Sequence, residues 1–235
     1  MQELKPEDLP IRIAFAERQL ELIEQDPGYP YRIIMSDEAI FSCHGGVNLH
    51  NFRYWSPQNP HWHAEEPLHS PQVTVWMGVG ARGIIGPFFF NGVTVNGERY
   101  SNMLDDDLLP VVEEFDGFDE DLIQQDGATP HFSGLEWLDE NFAERWMGRG
   151  TRRHPAPIPW PARSPDLTWI DFFWWGYLKQ RLYTDRPYVN VEELMAAIER
   201  EVQAVPQEVI ESAVRDYTRR LHLCIERGGH SVETY

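Results

Sequence analysis

A chain of 235 residues with 42% hydrophobic and 13% aromatic content carries enough apolar surface for one well-buried domain, which excludes wholesale disorder. Two cysteines, Cys43 and Cys224, exclude a disulfide framework, and neither a cationic leader with an apolar core nor a run of membrane-spanning length is present, so a soluble intracellular protein is expected. The formal net charge of −18 opposes long-range attraction to nucleic acid, yet it is segregated: residues 98–144 hold fifteen acidic groups against one Arg, whereas 145–163 hold Arg145, Arg149, Arg152, Arg153 and Arg163 with no acid.

In chain order, residues 5–26 show a loose apolar stripe of Ile11, Ile13, Ala14, Leu20 and Ile23 and are expected to be helical up to the turn DPGYP. The period then becomes two. In YRIIMSDEAIF, Ile33, Met35, Asp37, Ala39 and Phe41 share one face of a strand, which puts Asp37 on an otherwise apolar side and turns Glu38 to the other. Residues 45–55 and 72–79 read as further strands, and Ala81-Arg82-Gly83 turns the second into IIGPFFF. Helix is expected near 98–115, a short strand in LIQQD at 122–126, and helix again over 131–146. Five prolines make RRHPAPIPWPARSP extended. Three helices follow, near 169–184, 191–203 and 206–227, the last ended by Gly228-Gly229. The order of elements predicts an α/β domain.

Some motifs are set aside on mechanism. GVGARG at 78–83 matches a dinucleotide-binding pattern, but β-favouring residues follow where a phosphate-binding helix must start, so a hairpin turn is expected and no nucleotide cofactor. His61, His63 and His69, with Cys43 and His44, are too loosely spaced for a closed zinc site. Asp105-Asp106-Asp107 lacks the alternating ligands and distant Glu of a calcium loop and suits a solvated helix face. Three aspartates at element edges remain: Asp37 in its strand, Asp126 at the end of LIQQD, and Asp171 opening the aromatic-rich FFWWGYLKQRL, where burial on several sides is expected. A carboxylate buried there needs a compensating charge, which a divalent cation would supply.

The segments IIMSDEAIF, LHSPQVTVWMGV, QQDGATPH, WPARSPDLTWIDFFWWGYLK and CIERGGH, in this order, resemble the catalytic region of mariner-like transposases, in particular relatives common in arthropod genomes. QQDGATPH followed by SPDLTWIDFFWWGYLK is the most specific part, and the resemblance runs from about residue 5 to the C-terminus. It implies a ribonuclease-H-like fold, a mixed sheet flanked by helices. Residues 1–30 would be a linker and lead-in helix, residues 31–235 the catalytic domain with C-terminal helices, and the family's N-terminal helix-turn-helix modules would be absent. Carried over by position, the metal-binding acids are Asp37, Asp126 and Asp171, with Asp166 of SPDL a local turn or cap residue.

What the resemblance implies is a two-metal-ion enzyme using Mg²⁺ or Mn²⁺ to cut and join double-stranded DNA, with Asp37 bridging the ions and Asp126 and Asp171 each completing one site. Arg149, Arg152, Arg153 and Arg163 would line the DNA path through phosphate contacts. A homodimer and a nuclear location belong to the same expectation, with no membrane association. Two alternatives stay open: a non-catalytic or domesticated remnant that binds DNA or protein, and a stand-alone ribonuclease-H-like nuclease that does not join strands.

Overall fold

The computed structural model describes residues 3–45, 70–114, 118–184 and 187–233. The strand expected at 45–55 and the histidines at 61, 63 and 69 lie outside the described residues. Six strands form one mixed sheet in the order β3-β2-β1-β4-β5-β6: β1 Ile33–Ser42, β2 Gln72–Gly80, β3 Gly83–Asn91, β4 Leu122–Gln124, β5 Trp146–Gly148 and β6 Ile158–Pro159. β1 pairs antiparallel with β2, and β2 with β3 through the hairpin at Ala81-Arg82, while β1, β4, β5 and β6 pair in parallel.

Helices cover both faces because the strands are apolar on both. Ile33, Met35, Ala39 and Phe41 of β1 and Val73, Val75, Met77 and Val79 of β2 join one core with α1 (Asp8–Gln25), α5 (Trp175–Leu182), α6 (Val191–Gln203) and α7 (Gln207–Glu226). Ile34 and Trp76, one residue out of phase, join a second core under α2 (Gly97–Met103), α3 (Leu109–Glu114) and α4 (Leu135–Asn141). This parity is the period-two alternation of a strand, realised on both sides. Local chemistry sets the helix ends. Asn96 and Asn190 accept from the amides of Arg99 and Glu193, and after α7 Gly228 and Gly229 take φ of 60° and 83° while the Gly229 amide returns to the Cys224 carbonyl at 2.8 Å.

Three expectations are revised. The helix near 98–115 is interrupted by a π turn at Leu104–Leu108, which buries Leu104 and Leu108 and leaves Asp105, Asp106 and Asp107 exposed. The helix expected over 131–146 is a 3₁₀ turn at Thr129–Gly134 followed by the short α4, and Trp146 opens a buried parallel strand instead. A positive φ of 60° at Glu144 breaks the helix, and ladder pairing of Trp146 and Met147 with Ile123 and Gln124 outweighs helix propensity. The segment 169–184 begins with a π turn at Ile170–Trp174 rather than a regular helix, and Trp169 is pinned there by its indole donating to the Val79 carbonyl at 2.6 Å.

Candidate active site

Strand register assembles the cleft. Met35 pairs with Gln124 and Gln124 with Met147, so two residues further along each parallel strand come Asp37, Asp126 and Arg149 in neighbouring rows. Pairing of Gly148 with Pro159 sets Trp160 and the loop after it beside them. Sites in open α/β sheets form in this place, outside the carboxyl ends of parallel strands. A cleft of about 440 Å³ results, lined by Asp37, Asp126, Arg149, Arg163, Thr168 and Asp171 among others.

The three acids are held by different means. Asp37 Oδ2 accepts the Trp175 indole N–H at 2.8 Å. Burial, with the nearby charges of Asp171 and Glu38, pushes the Asp37 carboxyl well above the usual range. Asp171 accepts the Thr168 hydroxyl; burial within the cleft and the Asp126 charge outweigh that bond and raise it to about 6. Asp126 takes the opposite course. Desolvation would raise its pKa, but Ala128 N–H at 2.8 Å and His131 Nδ1 at 2.8 Å from its Oδ1 lower it. His131, buried against Tyr100, reaches Glu38 with Nε2 at 3.1 Å; burial disfavours the imidazolium, yet the two carboxylates raise its pKa to about 10. Asp37 and Glu38 therefore work on opposite faces of β1.

The basic residues divide. Arg149 and Arg163 line the cleft, whereas Arg152 and Arg153 do not; both are exposed, with Arg153 3.9 Å from Glu136. The Arg149 stem lies over Gly127, where a Cβ would come within 2.7 Å of its Cδ, which accounts for a glycine directly after Asp126. The Arg163 guanidinium is committed to Asp8. Asp166 is not a simple turn or cap residue: it is buried in a bidentate pair with Arg12 at 2.6 and 2.9 Å. Nor is Asp171 enclosed by its aromatic neighbours, since it stays accessible from the cleft while Trp174, Trp175 and Leu178 turn into the core. Sequence reasoning missed Trp175, Thr168, Glu38 and His131. Glu38 and His131 flank acids already singled out, which was the available signal; the other two need the folded geometry. Gln124, fully buried at the cleft, has neither amide atom bonded to a partner among the described residues.

Chemically the cleft offers hard carboxylate oxygens, and desolvation together with the neighbouring acids makes two of the three resist ionisation, a donor set that suits a divalent cation. Among the described residues no three His, Cys, Asp or Glu side chains are grouped so that together they could hold a metal ion. Mg²⁺ does not require three protein ligands, because it binds through one or two carboxylates and keeps positions for water and phosphate oxygens.

No family model matches the chain. It is 25% identical over 219 residues to the Tc3 transposase of Caenorhabditis elegans, covering 92% of this chain and 62% of that protein, so it spans less than two thirds of that relative's length. A pre-cleavage Mos1 transpososome superposes with a TM-score of 0.82 at 18% identity, covering 99% of this chain and 66% of that one. The catalytic domain of Mos1 mariner transposase superposes with a TM-score of 0.74 at 17% identity, covering 99% of this chain and 98% of that one. Mos1 structures are also known with Mg and with Mn. Among the described residues no helix is long and apolar enough to cross a membrane. With its mixed sheet and flanking helices, the chain has the ribonuclease-H-like fold of the Mos1 catalytic domain, and over most of its length it is similar in sequence to the Tc3 transposase.

Proposed function

We propose that this chain is the catalytic domain of a metal-dependent DNA transposase, hydrolysing phosphodiester bonds and joining DNA through a freed 3′-hydroxyl. The carrying observation is that parallel register sets Asp37 and Asp126 side by side in a cleft whose opposite wall presents Asp171. Asp37, Asp126 and Asp171 would hold two Mg²⁺ or Mn²⁺ ions. When bound, the ions lower the pKa of the attacking water or hydroxyl and stabilise the leaving oxygen. The chain's own part is positional. Trp175 orients Asp37, Thr168 orients Asp171, and the Ala128 amide with His131 fixes Asp126 so that its Oδ2 faces away from those bonds. Water is the nucleophile in cleavage and the 3′-hydroxyl in joining, so no side chain becomes covalently attached. Arg149 at the cleft and the exposed Arg152 and Arg153 would contact phosphates of double-stranded DNA, while Arg163 stays paired with Asp8. Residues 1–30 are read as the lead-in to a catalytic unit over 31–235, acting in the nucleus as a homodimer.

The test is incubation with supercoiled plasmid and Mn²⁺, and then with a pre-cut 3′ end and a target duplex. Nicking and joining by the parent but not by Asp126→Asn is expected. Nicking without joining would favour a stand-alone nuclease, and equal behaviour of parent and variant would favour a DNA- or protein-binding remnant.

A further inference from the structure

The loop from Ala162 to Thr168 forms one wall of the cleft, and its rear is gripped by the first helix and the C-terminal segment. Arg12 of α1, with no solvent exposure, donates from Nη1 to Ser164 Oγ at 2.6 Å and Asp166 Oδ1 at 2.9 Å, from Nη2 to Asp166 Oδ2 at 2.6 Å, and from Nε to the Gly229 carbonyl at 2.8 Å. One turn earlier, buried Asp8 accepts two bonds from Arg163, whose φ of 56° is a left-handed conformation that a long side chain adopts only when its surroundings impose it. The Val232 amide adds a bond to Asp166 Oδ2 at 2.9 Å. Arg220 of α7 donates to the Asp166 carbonyl at 3.0 Å and lies 3.7 Å from the centre of the Phe172 ring, next to Asp171. On the cleft side the same loop delivers the Thr168 hydroxyl to Asp171.

We propose that Asp8 and Arg12 are positioning residues for the candidate active site, holding the cleft wall through Arg163, Ser164 and Asp166 and, through Thr168, the Asp171 carboxylate. The proposal rests on the functional reading of the cleft given above. A buried Arg–Asp pair rarely stabilises a fold more than apolar packing of the same volume does, so adhesion alone is a weak reason for the Arg12–Asp166 pair, and the partly exposed Arg163–Asp8 pair on the same short loop adds little more. What a bidentate fork adds is fixed distance and orientation, and here both forks act on the segment that faces the acids.

Arg12→Lys keeps the charge but loses the fork, and Asp8→Asn keeps one acceptor and supplies the milder case should Arg12→Lys not fold. Each is compared with the parent well below its melting temperature. The amides of Leu167, Thr168 and Phe172, bonded to the carbonyls of Ser164, Pro165 and Thr168, should exchange with solvent about tenfold faster while those of β1 and β2 keep parent rates. Mn²⁺ affinity should weaken by about 10–100-fold, as for other residues that orient metal ligands, and kcat for cleavage should fall with KM unchanged. Uniformly faster exchange that follows the melting temperature, with parent Mn²⁺ affinity, would overturn the proposal by making the pairs general stabilisers. A parent that binds no Mn²⁺ would instead overturn the functional reading, and the exchange pattern would still decide whether the two residues hold the loop.

Discussion

Asp37 occupies a strand face otherwise made of Ile33, Met35, Ala39 and Phe41, and Asp171 looks into the same cleft, so burial and the Asp171 charge together disfavour an ionised Asp37. Asp171 is raised to about 6 from 3.8. A carboxyl whose folded pKa exceeds its unfolded value favours the fold while protonated; that contribution is full below pH 3.8 and is lost as the pH rises to about 6. The metal-free melting temperature should therefore fall across this window. Asp171→Asn, which cannot titrate there, should show a flatter profile and melt higher at pH 7, by ~2–4 °C for roughly 1 kcal/mol in a domain of this size. Added Mn²⁺ should raise the melting temperature of the parent but not of the variant; calorimetric scans with and without the ion check both. Asp166, five positions away, differs in kind. A capping residue would cost about 1 kcal/mol on removal, whereas Asp166→Ala strands the buried Arg12 guanidinium and should cost about 3–5 kcal/mol in denaturant titration. A loss near 1 kcal/mol would mean that the pair is loosely held.

The elements that shape the cleft are short, and their placement depends on partners. β4 and β5 have three residues each and pair only because Ile123 and Gln124 meet Trp146 and Met147 in a parallel ladder between two apolar cores. The period of the sequence over 131–146 favours a helix, and non-local pairing overrides it. Gly127 shows how closely the ends of these strands approach. Gly127→Ala would displace the flexible Arg149 side chain rather than the backbone, so the fold should survive while the log–log salt dependence of duplex binding flattens by about 0.9, one phosphate contact. A melting temperature that collapses together with binding would show that the neighbouring backbone cannot yield. At the other end of the chain, Gly229 holds a φ of 83° against the Leu9 carbonyl, where a Cβ has no room. Gly229→Ala should cost about 1–3 kcal/mol through backbone strain and through loss of contact between α1 and the end of α7, read as a shift in the denaturation midpoint.

Across the whole molecule, a net charge of −18 coexists with an exposed Arg149 at the cleft and exposed Arg152 and Arg153 a few residues further along the chain. The acids of 105–107 are carried on the outer side of the π turn, among helices on the face of the sheet opposite the core that contains α1 and α7. Repulsion should therefore slow encounter without blocking the cleft. Replacing both Arg152 and Arg153 by Ala should reduce the slope of log affinity against log salt by roughly two contacts, at ~0.9 each, and titrations of a labelled duplex at several salt concentrations measure it. An unchanged slope would remove these two residues from the DNA path.

Periodicity alone places the first strand, the hairpin at Ala81-Arg82, the last two helices and their glycine stop, because alternation and end-capping are written in neighbouring residues. The resemblance in QQDGATPH and SPDLTWIDFF singled out the three acids. Proximity was beyond both: that Asp37 and Asp126 stand in one row follows from parallel register, and that Asp166 faces Arg12 while Asp171 faces the cleft follows from packing of α1 behind the 163–168 loop. Register and packing depend on residues 88 to 154 positions apart in the chain, and local propensity carries no record of such distances.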